Sequence, residues 1–207
     1  MFKELFLFMM LILIPSLGIA DSLILGAGPY KITLGAGYTL NLGVAASCST
    51  IQQSFSTEDV TANALGQAAA TVYIGQQITA NASYNVCKIV VKLMKGGTGQ
   101  NVTASIYSDD SSDGPNASLG SCGTVLAADI SDVAFEEETF TCSPVIALTS
   151  GTKYWIVLNT SGWNFTNYIQ WQRGDEASSN IDNDADGTGT WSDYTTTRKS
   201  SFKLYQE

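Results

Sequence analysis

The residues best suited to metal chemistry form an acidic run near the C-terminal end of the chain. Asp182, Asp184 and Asp186 alternate with other residues before a glycine, and Asp193 stands six residues after that glycine. Oxygen ligands in this spacing can wrap a twelve-residue loop around Ca²⁺. Two departures are that an aspartate replaces the usual final glutamate and that Gly189 replaces the apolar anchor. The four aspartates therefore predict a calcium loop without flanking helices; the alternative is a solvated acidic turn.

Other carboxylates lack an arrangement that would serve a metal or a glycosidase. Asp109, Asp110 and Asp113 have no comparable spacing, which indicates a solvated loop. Glu136 and Glu138 share one face of an expected strand. Paired carboxylates can hydrolyse glycosidic bonds, but charges on an edge strand also discourage aggregation. We expect the second role, and no catalysis.

Aromatic side chains indicate a second kind of chemistry, because flat rings can stack on the apolar faces of sugars. Trp163, Trp191 and Tyr194 fall in or beside expected loops and are the candidates for an exposed platform. Trp155 and Trp171 lie on expected strands and are interpreted as core residues. The first three residues therefore predict a carbohydrate-binding surface; plain packing is the alternative.

The composition excludes several classes of function. The chain contains no histidine, which removes Ser-His-Asp and Cys-His catalysis and zinc sites built on imidazole. Acidic residues outnumber basic ones 19 to 10, for a formal net charge of −9. This balance repels phosphate backbones, so nucleic acid is not an expected partner.

The first twenty residues have the pattern of a secretory signal peptide. Lys3 gives a basic start, residues 5–14 are a continuous apolar run, Pro15 ends it, and small residues follow at 18–20. The apolar run is short for a bilayer span, although a retained N-terminal anchor is the alternative. We expect a secreted chain with no transmembrane span after cleavage.

Four cysteines in an exported chain predict two disulfides, with three possible pairings; four buried thiols are the alternative. They are Cys48, Cys87, Cys122 and Cys142. Strands expected at 125–130 and 133–142 should fold back near Asp132, which brings Cys122 opposite Cys142. The remaining two cysteines would then tie the N-terminal segment to the rest of the chain.

Five Asn-x-Ser/Thr sequons provide candidate glycosylation sites, each of which must face solvent if it is modified. They are Asn81, Asn101, Asn116, Asn159 and Asn164.

The segment from Thr149 to Leu158 predicts a central β-strand. Gly151 supplies a turn, and the aromatic and β-branched residues that follow place large apolar groups on both faces. Many short strand candidates with turn signals between them predict a β-sandwich or barrel. The candidates are 51–55, 71–78, 84–94, 100–108, 125–130, 133–142, 152–158, 167–172 and 201–205. The glycine-rich turn at 96–99 predicts that the strands on either side of it form a hairpin.

The N-terminal part of the chain has a different composition. We expect residues 21–69 to form a glycine-rich arm with edge strands, and residues 70–207 to form the sandwich. Within the arm, the alternating pieces 30–34 and 38–42 flank Gly35-Ala36-Gly37 and predict a hairpin. Such an arm could add a strand to a neighbouring subunit, or it could be an edge of the same sandwich.

Several segments together resemble one type of secreted module. They are Gly75–Thr79, Cys87–Leu93, Asn101–Tyr107, Gly114–Asn116, Val125–Ala127, Ser143–Val145, Leu148–Leu158, Asn167–Trp171 and Gly189–Trp191. From Val72 to Tyr205 the chain is similar to the jelly-roll domains of choice-of-anchor type in extracellular prokaryotic and phage proteins, which look like carbohydrate-binding modules. The resemblance implies a jelly roll for binding or display, without catalysis, and carries over no ligand residues.

The sequence thus predicts a secreted, surface-exposed jelly-roll module that binds carbohydrate and is stabilised by calcium. The rival hypothesis is a self-assembling filament or appendage subunit, in which residues 21–46 donate a strand to the next copy.

Overall fold

A computed structural model describes residues 30–34, 38–42, 48–57, 61–67, 72–162, 164–175, 181–184, 191–195 and 198–207. For the first two ranges, Asp175, Ile181–Asp184 and residues 192–195 it describes only the backbone. The chain divides into two compact units, Met1–Ser47 and Cys48–Glu207.

The first unit contains one antiparallel hairpin. Its strands are β1 (Tyr30–Leu34) and β2 (Tyr38–Leu42), paired from Tyr30 opposite Leu42 to Leu34 opposite Tyr38. Alternating side chains on either side of the Gly-Ala-Gly segment account for this pairing, as the sequence predicts.

The second unit is an all-β sandwich of two antiparallel sheets, which confirms the predicted all-β sandwich. The six-stranded sheet has the order β13-β12-β5-β10-β7-β8. Its strands are β5 (Tyr73–Thr79), β7 (Val102–Asp109), β8 (Pro115–Val125), β10 (Lys153–Thr160), β12 (Ile181–Asp184) and β13 (Trp191–Thr195).

The seven-stranded sheet has the order β14-β11-β6-β15-β3, with β4 paired to β11 and β9 paired to β6. Its strands are β3 (Thr50–Phe55), β4 (Ala62–Leu65), β6 (Tyr84–Gly96), β9 (Glu136–Leu148), β11 (Tyr168–Asp175), β14 (Arg198–Ser200) and β15 (Phe202–Gln206). Both β3 and β4 belong to the second unit, which begins at Cys48.

The core lies between the two sheets, where the period-2 alternation of each strand directs one set of side chains. Tyr154, Ile156 and Leu158 of β10 face the core, together with Ile89 and Leu93 of β6. Burial of each such aliphatic side chain contributes about 1.5–3 kcal/mol relative to exposure. The strand β10 pairs with β5 and β7 on its two edges, which confirms the predicted central strand.

Two predicted hairpins are wrong. The turn at Gly96–Gly99 does not join neighbouring strands, because β6 pairs with β9, β11 and β15 while β7 pairs with β8 and β10. It carries the chain from one sheet to the other. The expected strand at 125–130 is absent from the structure: β8 ends at Val125, and the chain then crosses to β9 in the opposite sheet.

The disulfides are Cys48–Cys87 and Cys122–Cys142, the two pairs expected from the sequence. The second bridge has a different setting from the one expected. Cys122 lies on β8, the edge of the six-stranded sheet, and Cys142 lies on β9 of the seven-stranded sheet. The bond therefore joins two sheets, where the sequence predicted a link across one hairpin.

Candidate functional site

An aromatic cluster lies on the outer face of the six-stranded sheet. Ile74, Gln76 and Ile78 of β5 are buried, so strand alternation directs the odd-numbered residues outward. The outer aromatic cluster consists of Tyr73 (β5), Tyr107 (β7), Trp155 (β10) and Trp191 (β13). Tyr107 stands beside Trp155 in the register of β7 and β10.

Trp191 stands between the two tyrosines. Its ring centroid lies 6.3 Å from that of Tyr73, with an interplanar angle of 88°. The centroid of Tyr107 is also 6.3 Å away, at 74°. Edge-to-face pairs of this kind are favoured by the quadrupoles of the rings. Trp191 therefore presents its ring at a steep angle to both neighbours.

The rings of Trp191 and Tyr107 meet across several strands of the sheet. Trp191 lies four strands from Tyr107 in the sheet order. A flat sheet would separate their strands by about 19 Å, four spacings of about 4.8 Å. The side chains of Trp191 and Tyr107 therefore reach towards each other over the outer face of the intervening strands β12, β5 and β10.

Gly75 makes the close packing under the cluster possible. A Cβ at this position would lie 3.0 Å from Cε3 of Trp155, 3.2 Å from Cγ of Pro115 and 3.6 Å from Cζ3 of Trp191. Any side chain at residue 75 would therefore displace at least one ring. The absence of a side chain at Gly75 thus allows the rings to lie close to the backbone.

The four rings differ in exposure. Trp155 is fully buried, although it lies outside the core between the sheets. Tyr73, Tyr107 and Trp191 are half-buried and keep accessible surface. The buried ring of Trp155 thus lies beneath the three partly exposed rings.

Four polar residues border the cluster and form its polar rim: Gln77, Asp109, Asp113 and Lys153. Oδ1 of Asp109 accepts hydrogen bonds from Nε1 of Trp155 at 2.8 Å and from Nε2 of Gln77 at 3.1 Å. The same amide nitrogen of Gln77 donates to Oδ1 of Asp113 at 3.0 Å. Lys153 pairs with that carboxylate through Nζ. The rim therefore links β5, β10 and the loop after β7 into one network.

The β7–β8 loop is held by its own carboxylates, which the sequence had suggested only as a solvated turn. Asp110 Oδ1 accepts hydrogen bonds from the backbone N–H groups of Ser112 at 2.7 Å and Gly114 at 2.9 Å. Asp109 Oδ2 accepts from the N–H of Ser111 at 3.0 Å. Asp113 has a φ of +67°, in the left-handed region that aspartate tolerates. These bonds fix the position of Asp113 beside Lys153.

The charges of the rim reinforce each other. The hydrogen bond from Lys153, with a smaller contribution from Gln77, lowers the pKa of Asp113 below its ordinary value of 3.8. The same contact raises the pKa of Lys153 above 10.5. Both side chains remain nearly half exposed. At neutral pH the rim therefore presents an ammonium group beside a carboxylate.

The predicted calcium ligands lie partly in this sheet. Asp182 and Asp184 belong to the extended backbone of β12, opposite Gly75 and Tyr73, and Asp193 of β13 pairs with Asp182. The predicted loop is thus partly a two-stranded ribbon. The side chains of these three residues, and all of Asp186, lie outside the described residues. Among the side chains that are described, no group of three potential metal ligands occurs.

The other predicted platform residues have mixed outcomes. Trp191 belongs to the cluster, whereas Trp163 and the side chain of Tyr194 lie outside the described residues. Trp171 is in the core, as expected. Tyr73 and Tyr107 were not among the sequence candidates. The alternation of β7, with Val102, Ala104 and Ile106 inward, was the available signal for Tyr107.

The glutamates of β9 differ among themselves. Glu137 pairs with Lys203 on the outside of the sheet. Glu138 is half-buried, and burial, with the nearby charges of Glu136 and Asp129, raises its pKa. Within the described residues, β9 is hydrogen-bonded to β6 alone. It is therefore an edge strand, the setting in which charged side chains discourage unwanted pairing.

The sequons are all at least partly accessible. The side chains of four asparagines are exposed: Asn81, Asn101, Asn116 and Asn164. Asn159 on β10 is half-buried, beside Tyr73 in the register. Modification at Asn159 would therefore place a glycan at the edge of the aromatic cluster.

The outer face of the seven-stranded sheet also carries an aromatic residue, but in another setting. Nζ of Lys88 lies 3.7 Å from the centroid of the Tyr205 ring. The two residues are opposite each other on β6 and β15. This cation–π contact covers the ring face that a ligand would need.

Comparison with known protein families found no matching family model, and none of the curated proteins matches the chain. In the described part of the chain, no helix is long and apolar enough to cross a membrane.

Proposed function

We propose that the protein is a secreted, non-catalytic binding module of jelly-roll type that recognises carbohydrate through the outer aromatic cluster. The observation that carries this proposal is the arrangement of Tyr73, Tyr107 and Trp191. These rings are half-buried, and Trp191, which packs near Gly75, contacts both tyrosines beside a rim of hydrogen-bonding groups.

The arrangement combines the two kinds of contact that a sugar requires. Partly exposed rings offer apolar surface to the C–H faces of pyranose rings. Gln77, Asp113 and Lys153 supply an amide, a carboxylate and an ammonium group within reach of ring hydroxyls. Because packing against Trp155 and Gly75 already positions the neighbouring rings, binding would cost less conformational entropy.

Two further features support the setting of this proposal. Two disulfides are typical of proteins from oxidising compartments outside the cytosol. Calcium held by Asp182, Asp184, Asp186 and Asp193 would stiffen the β12–β13 hairpin that carries Trp191. A calorimetric titration with CaCl₂ should then release or absorb heat and raise the melting temperature; the absence of both effects would reject the ion.

The direct test is a glycan array probed with the purified secreted protein. The Trp191→Ala variant should bind the retained glycans roughly 30-fold more weakly, as expected for an aromatic hot spot. The matched control is Tyr205→Ala, which removes a half-buried ring from the opposite face. Equal binding by the wild type and a Tyr73→Ala/Tyr107→Ala/Trp191→Ala variant would refute the assignment of this face.

A filament subunit is the second candidate, and one observation favours it. Among the described strands, β1 and β2 pair only with each other. A two-stranded hairpin is marginally stable in water by itself, and further strand pairing would stabilise it. Electron microscopy and size-exclusion chromatography, with and without residues 21–46, provide the test. Polymers that disappear on deletion support this candidate; monomers in both samples exclude it.

A further inference from the structure

The charge of the polar rim bears on which sugars the outer aromatic cluster could accept. Asp109 and Asp113 place two carboxylates there, and the ammonium group of Lys153 is already paired with Asp113. Lys88 and Lys203 lie on the outer face of the other sheet, where Tyr205 and Glu137 engage them. Within the polar rim, two carboxylates therefore outnumber one ammonium group, and the rim itself is net negative.

The neighbouring β12–β13 hairpin adds further negative charge. Its backbone register places Asp182 and Asp184 opposite Gly75 and Tyr73, directly alongside the cluster. With Asp186 and Asp193, the segment carries four carboxylates, which exceed the charge of one bound divalent cation. An anionic ligand would thus approach a surface of its own sign, with or without calcium.

The Lys153–Asp113 pair also has hydrogen-bonding capacity to spare. An ammonium group has three N–H donors, and an ionised carboxylate has two acceptor oxygens. Among the described residues, Asp113 uses Oδ1 for Lys153 and Gln77, and Oδ2 accepts no hydrogen bond. Lys153 donates only to Asp113 in the same part of the structure. A donor and an acceptor therefore lie side by side, facing solvent.

We propose that the outer aromatic cluster is selective for neutral sugars with adjacent free hydroxyl groups, and that it rejects uronic, sulfated and sialylated glycans. This inference rests on the proposed function. One hydroxyl of a vicinal pair accepts a hydrogen bond from Nζ of Lys153, and its neighbour donates to Oδ2 of Asp113, while the C–H face of the ring packs on the aromatic side chains. A carboxylate or sulfate in the position of the donating hydroxyl meets the unpaired oxygen of Asp113, and the carboxylate of Asp109 adds to the repulsion.

The test is an array printed with neutral, uronic-acid-containing, sulfated and sialylated oligosaccharides, followed by calorimetry on the glycans retained. We expect retention of neutral members only. Lys153→Met and Asp113→Asn should each weaken that binding about tenfold, the loss expected for one hydrogen bond to a charged group. Lys95→Met, which changes a lysine whose Nζ donates to the carbonyl of Ala127, is the matched control and should bind as the wild type does. Melting curves confirm that each variant folds.

The outcomes separate the two proposals. Retention of acidic glycans that is lost in the Tyr73→Ala/Tyr107→Ala/Trp191→Ala variant overturns the selectivity and leaves the binding face intact. Neutral binding unaffected by Lys153→Met and Asp113→Asn also overturns it. Retention of no glycan, or retention that survives loss of all three rings, refutes the proposed function and the selectivity with it.

Discussion

The two outer faces of the sandwich use similar residues in opposite ways. On the seven-stranded sheet, Lys88 lies over the ring of Tyr205, and the two side chains form a cation–π contact. On the six-stranded sheet, Lys153 pairs with Asp113 and leaves the rings of Tyr73 and Tyr107 to contact Trp191. Partial exposure of an aromatic ring is therefore a weak indicator of a binding face. For Tyr205 the stronger observation is that a cation of the same chain already lies over the ring face.

The largest effect should come from breaking the bond that joins the edges of the two sheets. Replacement of Cys122 and Cys142 by alanine opens a bridge that spans 20 residues and should lower the free energy of unfolding by about 3 kcal/mol. Both cysteines are buried, so repacking adds to the loss. Denaturant unfolding measures the change. Ser118→Ala, an exposed position on the same strand, is the control; an unchanged unfolding midpoint in the double variant would contradict this role.

The next largest effect is expected from a side chain introduced beneath the aromatic cluster. Gly75→Val places atoms against Trp155 and Pro115 and should cost about 1–3 kcal/mol of stability, as other overpacking substitutions do. It should also weaken glycan binding, because Trp191 must move. Gly162→Ala provides the matched control, since among the described residues no atom beyond its chain neighbours lies within 4 Å of the added Cβ. Wild-type affinity in Gly75→Val would show that ring placement does not matter.

A smaller effect is expected from the indole hydrogen bond beneath the rim. Trp155→Phe removes the donor to Asp109 while keeping a buried ring, and should destabilise the protein by about 1 kcal/mol. The affinity for neutral glycans should fall less than in Trp191→Ala, because Trp155 is fully buried and supports the other rings. Calorimetry on both variants makes the comparison. A larger loss of affinity in Trp155→Phe than in Trp191→Ala would contradict the assignment of Trp191 as the contact residue.

The smallest effect concerns protonation of the rim. Because Lys153 and Gln77 lower the folded pKa of Asp113, the pair stabilises the protein above the unfolded pKa, and this contribution is lost as the pH falls through the folded value. Carboxyl ¹³C NMR should give a midpoint below 3.8 in the wild type and a higher one in Lys153→Met. The midpoint in Lys95→Met should match the wild type. Identical midpoints in all three proteins would exclude the lysine as the cause.

The sequence was sufficient where the physical signal is local. The alternation around Ile156 predicts the central strand, and the two alternating segments on either side of Gly35-Ala36-Gly37 predict the pairing of β1 with β2. It was insufficient where two sheets compete for the same strand. A short turn such as Gly96–Gly99 can join neighbours in one sheet or cross between sheets, and strand alternation looks alike in both cases. The packing of the whole sandwich decides between them.

The same distinction applies to the candidate site. Trp191 was identified because it flanks an acidic loop signal, but its neighbours come from strands distant in the sequence. Tyr73 and Tyr107 each approach Trp191 only through the pairing of β5 and β7 with β10 and of β12 with β5 and β13. The close packing at Gly75 arises from rings on other strands. No local pattern contains this information.

The Cys48–Cys87 bridge has a mechanical consequence for the whole chain. Cys48 is the first residue of the second unit, and Cys87 lies on β6, which is hydrogen-bonded along both edges. Tension applied through the N-terminal hairpin would therefore pass across the sulfur bond straight into a central strand. Residues 49–86, including the edge strands β3 and β4, would be shielded from that load. A force applied at the N-terminus would therefore not detach the edge strands β3 and β4 first.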